Sequence, residues 1–164
     1  MSGRKSMPAL VALAAAALMV APAMLMVAPP VSAQSSNPRF GVWQMDSDQP
    51  PPFKNIMTYE PYEEAGMRIT VASTNARGQD SEWGYVTLFD GVFRPVEGQE
   101  NSETAVEVVD DRTTRILNMR QGRVTQVVIN TLSEDGNTIS NEYVRLDESG
   151  AISGVGHAVY RRIQ

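Results

Sequence analysis

The chain of 164 residues contains no cysteine and one histidine, His157. No disulfide, thiol nucleophile, thiolate metal site or thiol redox centre can be built from it, so stability must come from packing and backbone hydrogen bonds. A single histidine has no second imidazole or thiolate to share a metal with, and His157 is read as a strand residue. The glycines around Ser153 in Gly150-Ala151-Ile152-Ser153-Gly154 lack the spacing of a nucleophile elbow. Gly154-Val155-Gly156 lacks the lysine and following helix of a phosphate loop. Positive charge is also short: 14 Lys and Arg stand against 19 Asp and Glu, a net charge of −5. That balance argues against partners built on phosphate backbones or anionic membranes, and no nucleic-acid partner is expected. The acid pairs Glu63-Glu64, Asp110-Asp111 and Asp147-Glu148 lie beside turns, and neighbours on a strand point to opposite faces. They are read as solvated, and no catalytic residue, cofactor or metal is expected.

Long hydrophobic runs are missing except for one at the start. Arg4 and Lys5 precede an apolar stretch from Ala9 to Ala28, interrupted at Pro22, and Val31-Ser32-Ala33 then offers small residues. This tripartite order is that of a secretory signal peptide over 1–33, with a mature start near Gln34. No cysteine adjoins Ala33 to take a lipid, and no stable membrane anchor is expected after cleavage. The expected location is outside the cytoplasm, periplasmic or secreted. Taking 33 from 164 leaves 131 residues with twelve basic and nineteen acidic side chains, a net −7. That length suits one domain with a real core. The expected organisation is a signal over 1–33, a polar lead over 34–39 and one domain over 40–164.

Within that domain no helical pattern longer than a turn is found. Turn candidates recur instead: Ala65-Gly66, Arg77-Gly78, Asp90-Gly91, Glu97-Gly98, Gln121-Gly122, Asp135-Gly136 and Ser149-Gly150, with Asp110-Asp111-Arg112 as one more. Between them lie short Val-, Ile-, Thr- and aromatic-rich runs such as Arg68-Ile69-Thr70-Val71 and Val124 to Ile129. Pro50-Pro51-Pro52 breaks the chain between the first two strands, because proline lacks a ladder donor. The expected class is all-β, an antiparallel up-and-down meander of about 8–10 strands. It can close as a barrel or fold as a sandwich, and closure is preferred because it removes the two open edges.

Trp83 and Tyr85, followed by Thr87 and Phe89, alternate on one face of a strand; this stripe is core and, in a barrel, also cavity wall. Two-residue turns at Gln121-Gly122 and Asp135-Gly136 would set Met119 opposite Val124, Val128 opposite Tyr143 and Gln126 opposite Arg145. The more apolar face of this three-strand unit then carries Arg115, Leu117 and Met119 with Gln126, Val128, Asn130, Asn141, Tyr143 and Arg145. A single bulge would reverse part of the assignment. If that face is interior, Arg115, Gln126, Tyr143 and Arg145 enter the barrel, and the guanidinium groups require carboxylates, water or an acidic ligand. Tyr143 and Arg145 together would suit a ligand carboxylate, unless Arg145 is taken by Asp147, Glu142 or another native acid.

Gly41-Val42-Trp43 on the first strand, the meander, and the closing Tyr160-Arg161-Arg162 resemble the lipocalin or calycin pattern. Phe89-Asp90-Gly91 through Gly98, with Ser133 to Gly136, is similar to small exported bacterial proteins with a lipocalin-like domain. The resemblance implies that Trp43 packs at the closed end beneath Arg161 or Arg162, and that a small apolar molecule is bound. The leading expectation is an exported binding protein for a small, mainly apolar ligand with room for an anionic head group. The alternative is a ligand-free structural or interaction domain. An interior cavity favours the first and a packed interior the second.

Overall fold

The computed structural model describes residues 37–164; the expected signal segment lies outside the described residues. Ten strands follow one another: β1 (Gly41–Met45), β2 (Lys54–Tyr62), β3 (Gly66–Thr74), β4 (Asp80–Thr87), β5 (Arg94–Pro95), β6 (Ser102–Val108), β7 (Thr113–Arg120), β8 (Arg123–Leu132), β9 (Thr138–Leu146) and β10 (Ile152–Arg162). All neighbours are antiparallel and belong to one sheet, ordered β4-β3-β2-β1-β10-β9-β8-β7-β6-β5. β1 pairs with both β2 and β10, so the first strand joins the last. The sheet's two ends, β4 and β5, meet through one bridge. The Gly84 N–H donates to the Glu97 carbonyl at 3.1 Å, and the Glu97 N–H donates back at 2.8 Å. The result is a nearly closed barrel and not a sandwich.

Glycine does its expected work at most turns. Six of the seven X-Gly candidates place their glycine at positive φ. At Gln121-Gly122 both residues are left-handed, at φ 50° and 76°, as a two-residue hairpin with the sheet's twist requires. Ala65-Gly66 is different. Glu63 takes the positive φ there, and Gly66 is buried at the start of β3, where a Cβ would meet the Thr87 and Tyr62 carbonyl oxygens at 2.7 Å.

The β4–β5 seam depends on Gly98. A Cβ there would stand 2.6 Å from the Glu82 carbonyl oxygen and 3.3 Å from Trp83 Cα, and the backbone sits at φ 80°. Gly98→Ala should therefore cost roughly 1–3 kcal/mol, from left-handed strain plus displacement of a seam held by one bridge. Chemical denaturation checks this, and an unchanged midpoint would mean that the seam gives way freely.

The β8–β9 register is as the turn spacing predicts: Val128 opposes Tyr143 and Gln126 opposes Arg145. The β7–β8 register is not. Arg120 and Met119 oppose Arg123 and Val124, but the next pair is Asn118 with Gln126, leaving Thr125 as a bulge. One extra residue moves the rest of β7 to the opposite face. Thr114, Ile116 and Asn118 consequently face inward, and Arg115 lies outside, exposed and ion-paired with Glu107.

The core is continuous from the sealed end into the barrel: Trp43, Tyr59, Ile69, Val106, Leu132 and Ile139 are all buried. Thr87 ends β4 on the inner face. Phe89 lies beyond the strand, in left-handed backbone at φ 59°, with its N–H donating to Thr87 Oγ1 at 2.9 Å.

Candidate functional site

The end of the barrel that carries both chain ends of the domain is sealed by two arginines and a tryptophan. Trp43 is fully buried and its Nε1 donates to the Arg39 carbonyl at 2.9 Å. The Arg162 guanidinium lies over the indole at 4.2 Å from the ring centroid, close enough for cation–π attraction. Arg162 also donates to the carbonyls of Gly136, Phe40 and Pro38, tying β10 to the lead segment and the β8–β9 turn. Gly41 makes this approach possible, since a Cβ there would stand 2.6 Å from Arg162 Nη1. Arg161 points the other way and pairs with Asp46 at 2.8 Å on the exposed surface. Arg39, part of the stretch read as a polar lead, is in fact 4% exposed. Its Nε donates to Asn130 Oδ1 at 3.2 Å and its Nη2 to the Arg112 carbonyl. Burial works against its charge and lowers its pKa.

Above this floor is a cavity of about 250 Å3. No carboxylate, lysine, arginine or histidine lines it. Its wall combines apolar residues (Met57, Ile69, Val71, Ile116 and Val128 among them) with four tyrosines, Tyr59, Tyr85, Tyr143 and Tyr160. Side-chain amides complete it. Asn130 Nδ2 donates to Asn141 Oδ1 at 2.7 Å, Asn141 donates to the Tyr143 hydroxyl at 3.1 Å, and Asn118 donates to Gln126 Oε1 at 2.9 Å. The Tyr160 hydroxyl donates to Asn55 Oδ1 at 3.2 Å. Tyr85 is 6% exposed. Trp83 stacks on Tyr85 with centroids 6.2 Å apart and planes 14° from parallel.

Burial raises the phenol pKa of Tyr59 to about 12, against the opposing pull of the Arg39 guanidinium. It raises Tyr85 and Tyr160 as well, each reinforced by neighbouring tyrosines. Because the folded pKa exceeds the unfolded one near 10, the unfolded chain ionises first as pH rises. Stability should stay constant below about pH 9 and fall progressively above about pH 10. Denaturation midpoints across that range, with phenolate absorbance on the same samples, check it. Phenolate appearing near pH 10 from all the tyrosines of a still-folded barrel would contradict the burial argument.

Of the residues read from the sequence as ligand-binding, Trp83, Tyr85, Gln126 and Tyr143 share this wall. Arg115 does not, for the bulge puts it outside. Arg145 stands at the open rim, opposite Gln126. Its guanidinium lies along β10 where two side chains are missing: Cβ atoms at Gly154 and Gly156 would stand 3.8 and 3.7 Å from its Nη atoms. The acids considered as its partners are otherwise engaged. Glu142 pairs with His157 at 2.6 Å on the outer surface, and Asp147 holds its own turn through Ser149 and Ala151. Among the described residues Arg145 has no ion pair. Sequence reasoning passed over Tyr59 and Tyr160; the only signal was the alternation of Met57 with Tyr59 on β2 and of Ala158 with Tyr160 on β10. Among the described residues no three acidic or histidine side chains gather to hold a metal.

Ten antiparallel strands in up-and-down order, nearly closed around a cavity, define an up-and-down antiparallel β-barrel. Solved structures of the fluorescent protein UnaG have the same fold. One, a point mutant, is 10% identical and covers 77% of this chain and 97% of its own, with a TM-score of 0.54. The wild type is 10% identical over 75% and 96%, with a TM-score of 0.52. No family model and no curated protein matches the sequence. At this identity the likeness concerns the fold alone.

Proposed function

We propose that this chain is an exported binding protein for a small, mainly apolar molecule, held in the inner cavity with an anionic end group turned toward Arg145 at the open rim. The observation that carries the reading is a cavity of about 250 Å3, lined by no charged side chain, beside a rim arginine that has no ion pair among the described residues. An apolar wall studded with a few directed polar groups is the usual character of a small-molecule site. The rival reading, a barrel filled by its own side chains, requires a packed interior, and the cavity counts against it. A rim guanidinium can meet a carboxylate with charge-assisted hydrogen bonds while the ligand body stays in the uncharged part. Support for export is the order of Arg4 and Lys5, the apolar run and Val31-Ser32-Ala33. Mass spectrometry of the mature protein should find its start at or near Gln34, and intact residues 9–28 in washed membranes would contradict that.

The binding test is calorimetric titration with indole and with indole-3-propionate. Both should bind wild type, and Arg145→Ala should weaken the propionate by about tenfold while leaving indole unchanged. Equal propionate affinity in the two proteins removes the head-group role. Failure of both probes to bind removes the binding role itself.

A further inference from the structure

The inner cavity is small for the role just proposed. At about 250 Å3 it falls below the roughly 300–1,000 Å3 of most small-molecule sites. A second chamber of about 230 Å3 adjoins it. This outer chamber lies between β4 and the open ends of β6, β7 and β8, under the loop that carries Gln99. It shares three wall residues with the inner one: Trp83, Asn118 and Gln126. On one side the neck is the Trp83 ring. On the other it is the Asn118–Gln126 amide pair, which Thr104 Oγ1 anchors by donating to Asn118 Oδ1 at 2.9 Å. The bulge at Thr125 builds this second side, since it turns Asn118 inward against Gln126. The two chambers differ in chemistry. The outer wall is largely hydrogen-bonding, with Gln99, Ser102, Thr104 and Thr125, and it carries one charge of each sign, Glu103 and Arg120.

We infer that the outer chamber is a second binding subsite, which takes a net-uncharged, hydrogen-bonding portion of a ligand whose apolar portion fills the inner chamber. The ligand passes the neck between Trp83 and the Asn118–Gln126 pair. This rests on the binding role proposed above and adds that the ligand is larger than the inner cavity. Together the two chambers reach the usual size of a small-molecule site, which neither reaches alone. Trp83 is suited to the neck because it is only partly buried and has a flat neighbour, Tyr85, to slide against.

The test uses indole, small enough for the inner chamber, and Nile red, an uncharged four-ring dye too large for it. Wild type is compared with Gln99→Trp and Ser102→Phe, which fill the outer chamber from an exposed loop and from a strand end, after denaturation midpoints show each variant folded. Gln99 is exposed in the loop between β5 and β6, so that substitution replaces no core residue. Wild type should bind both probes, with indole displacing the dye. Both variants should bind Nile red at least about tenfold more weakly and retain indole affinity. Unchanged Nile red affinity in the folded variants overturns the second subsite and leaves the inner site standing. Equal loss of both probes overturns the partition at the neck. A wild type that binds neither probe overturns the binding role along with this inference.

Discussion

Trp43→Ala is expected to destabilise the protein by about 3–5 kcal/mol, the range for removing a large aromatic from a core that cannot collapse around the loss. Trp43 has no solvent exposure, and its surroundings are fixed on three sides. Its indole donates to the Arg39 carbonyl, Tyr59 packs on it with ring centroids 6.5 Å apart, and Arg162 covers the other face. Truncation leaves a void, an unmet carbonyl and a guanidinium without its aromatic partner. Arg162 also bonds three carbonyls from two segments, so the neighbours cannot move in without breaking those bonds. Urea denaturation followed by circular dichroism measures the effect. The melting temperature should fall by on the order of 10 °C, and a near-neutral midpoint would mean that the floor repacks without the indole.

Asn130→Leu is expected to cost roughly 2–5 kcal/mol, although leucine matches asparagine closely in volume and would ordinarily suit a core. Asn130 is 2% exposed and bridges the floor to the cavity. Its Oδ1 accepts from Arg39 Nε, and its Nδ2 donates to Asn141 Oδ1. Leucine leaves the buried guanidinium without one acceptor and the Asn141 carbonyl without its donor, each at about 1–3 kcal/mol. Because Asn141 in turn donates to Tyr143, indole affinity should also fall. The informative comparison is Asn130→Leu against Leu132→Ala, another buried inward residue of the same strand. A loss confined to Leu132→Ala would show that packing, and not the amide network, holds this wall.

How much of this was legible in the chain follows from the range over which each signal acts. Gln121-Gly122 and Asp135-Gly136 report local backbone requirements, so the β8–β9 register that sets Val128 against Tyr143 could be read directly. Trp43 and Arg162 were legible only through the resemblance to a family, since 119 residues separate them and no local rule joins them. Arg115 was misplaced because the Thr125 bulge has no mark in composition: Thr125 is an ordinary strand residue, and one extra residue reverses every side chain beyond it. Arg39 read as part of a polar lead because its partners, Asn130 and the Arg112 carbonyl, lie far along the chain. Tyr59 and Tyr160 looked like ordinary strand aromatics.

By itself the sequence determined the class of fold, for alternation and glycine turns are local, and the absence of cysteine left packing and backbone hydrogen bonds to hold it together. Only the tertiary structure decided what the interior is. Closure of β1 on β10 brings tyrosines from four strands and amides from β7, β8 and β9 around one space. The bulge gives that space its neck, and the paired glycines of β10 leave the guanidinium of Arg145 its place at the rim. Each of these depends on which strands meet across the barrel, a relation between distant residues that no local pattern carries.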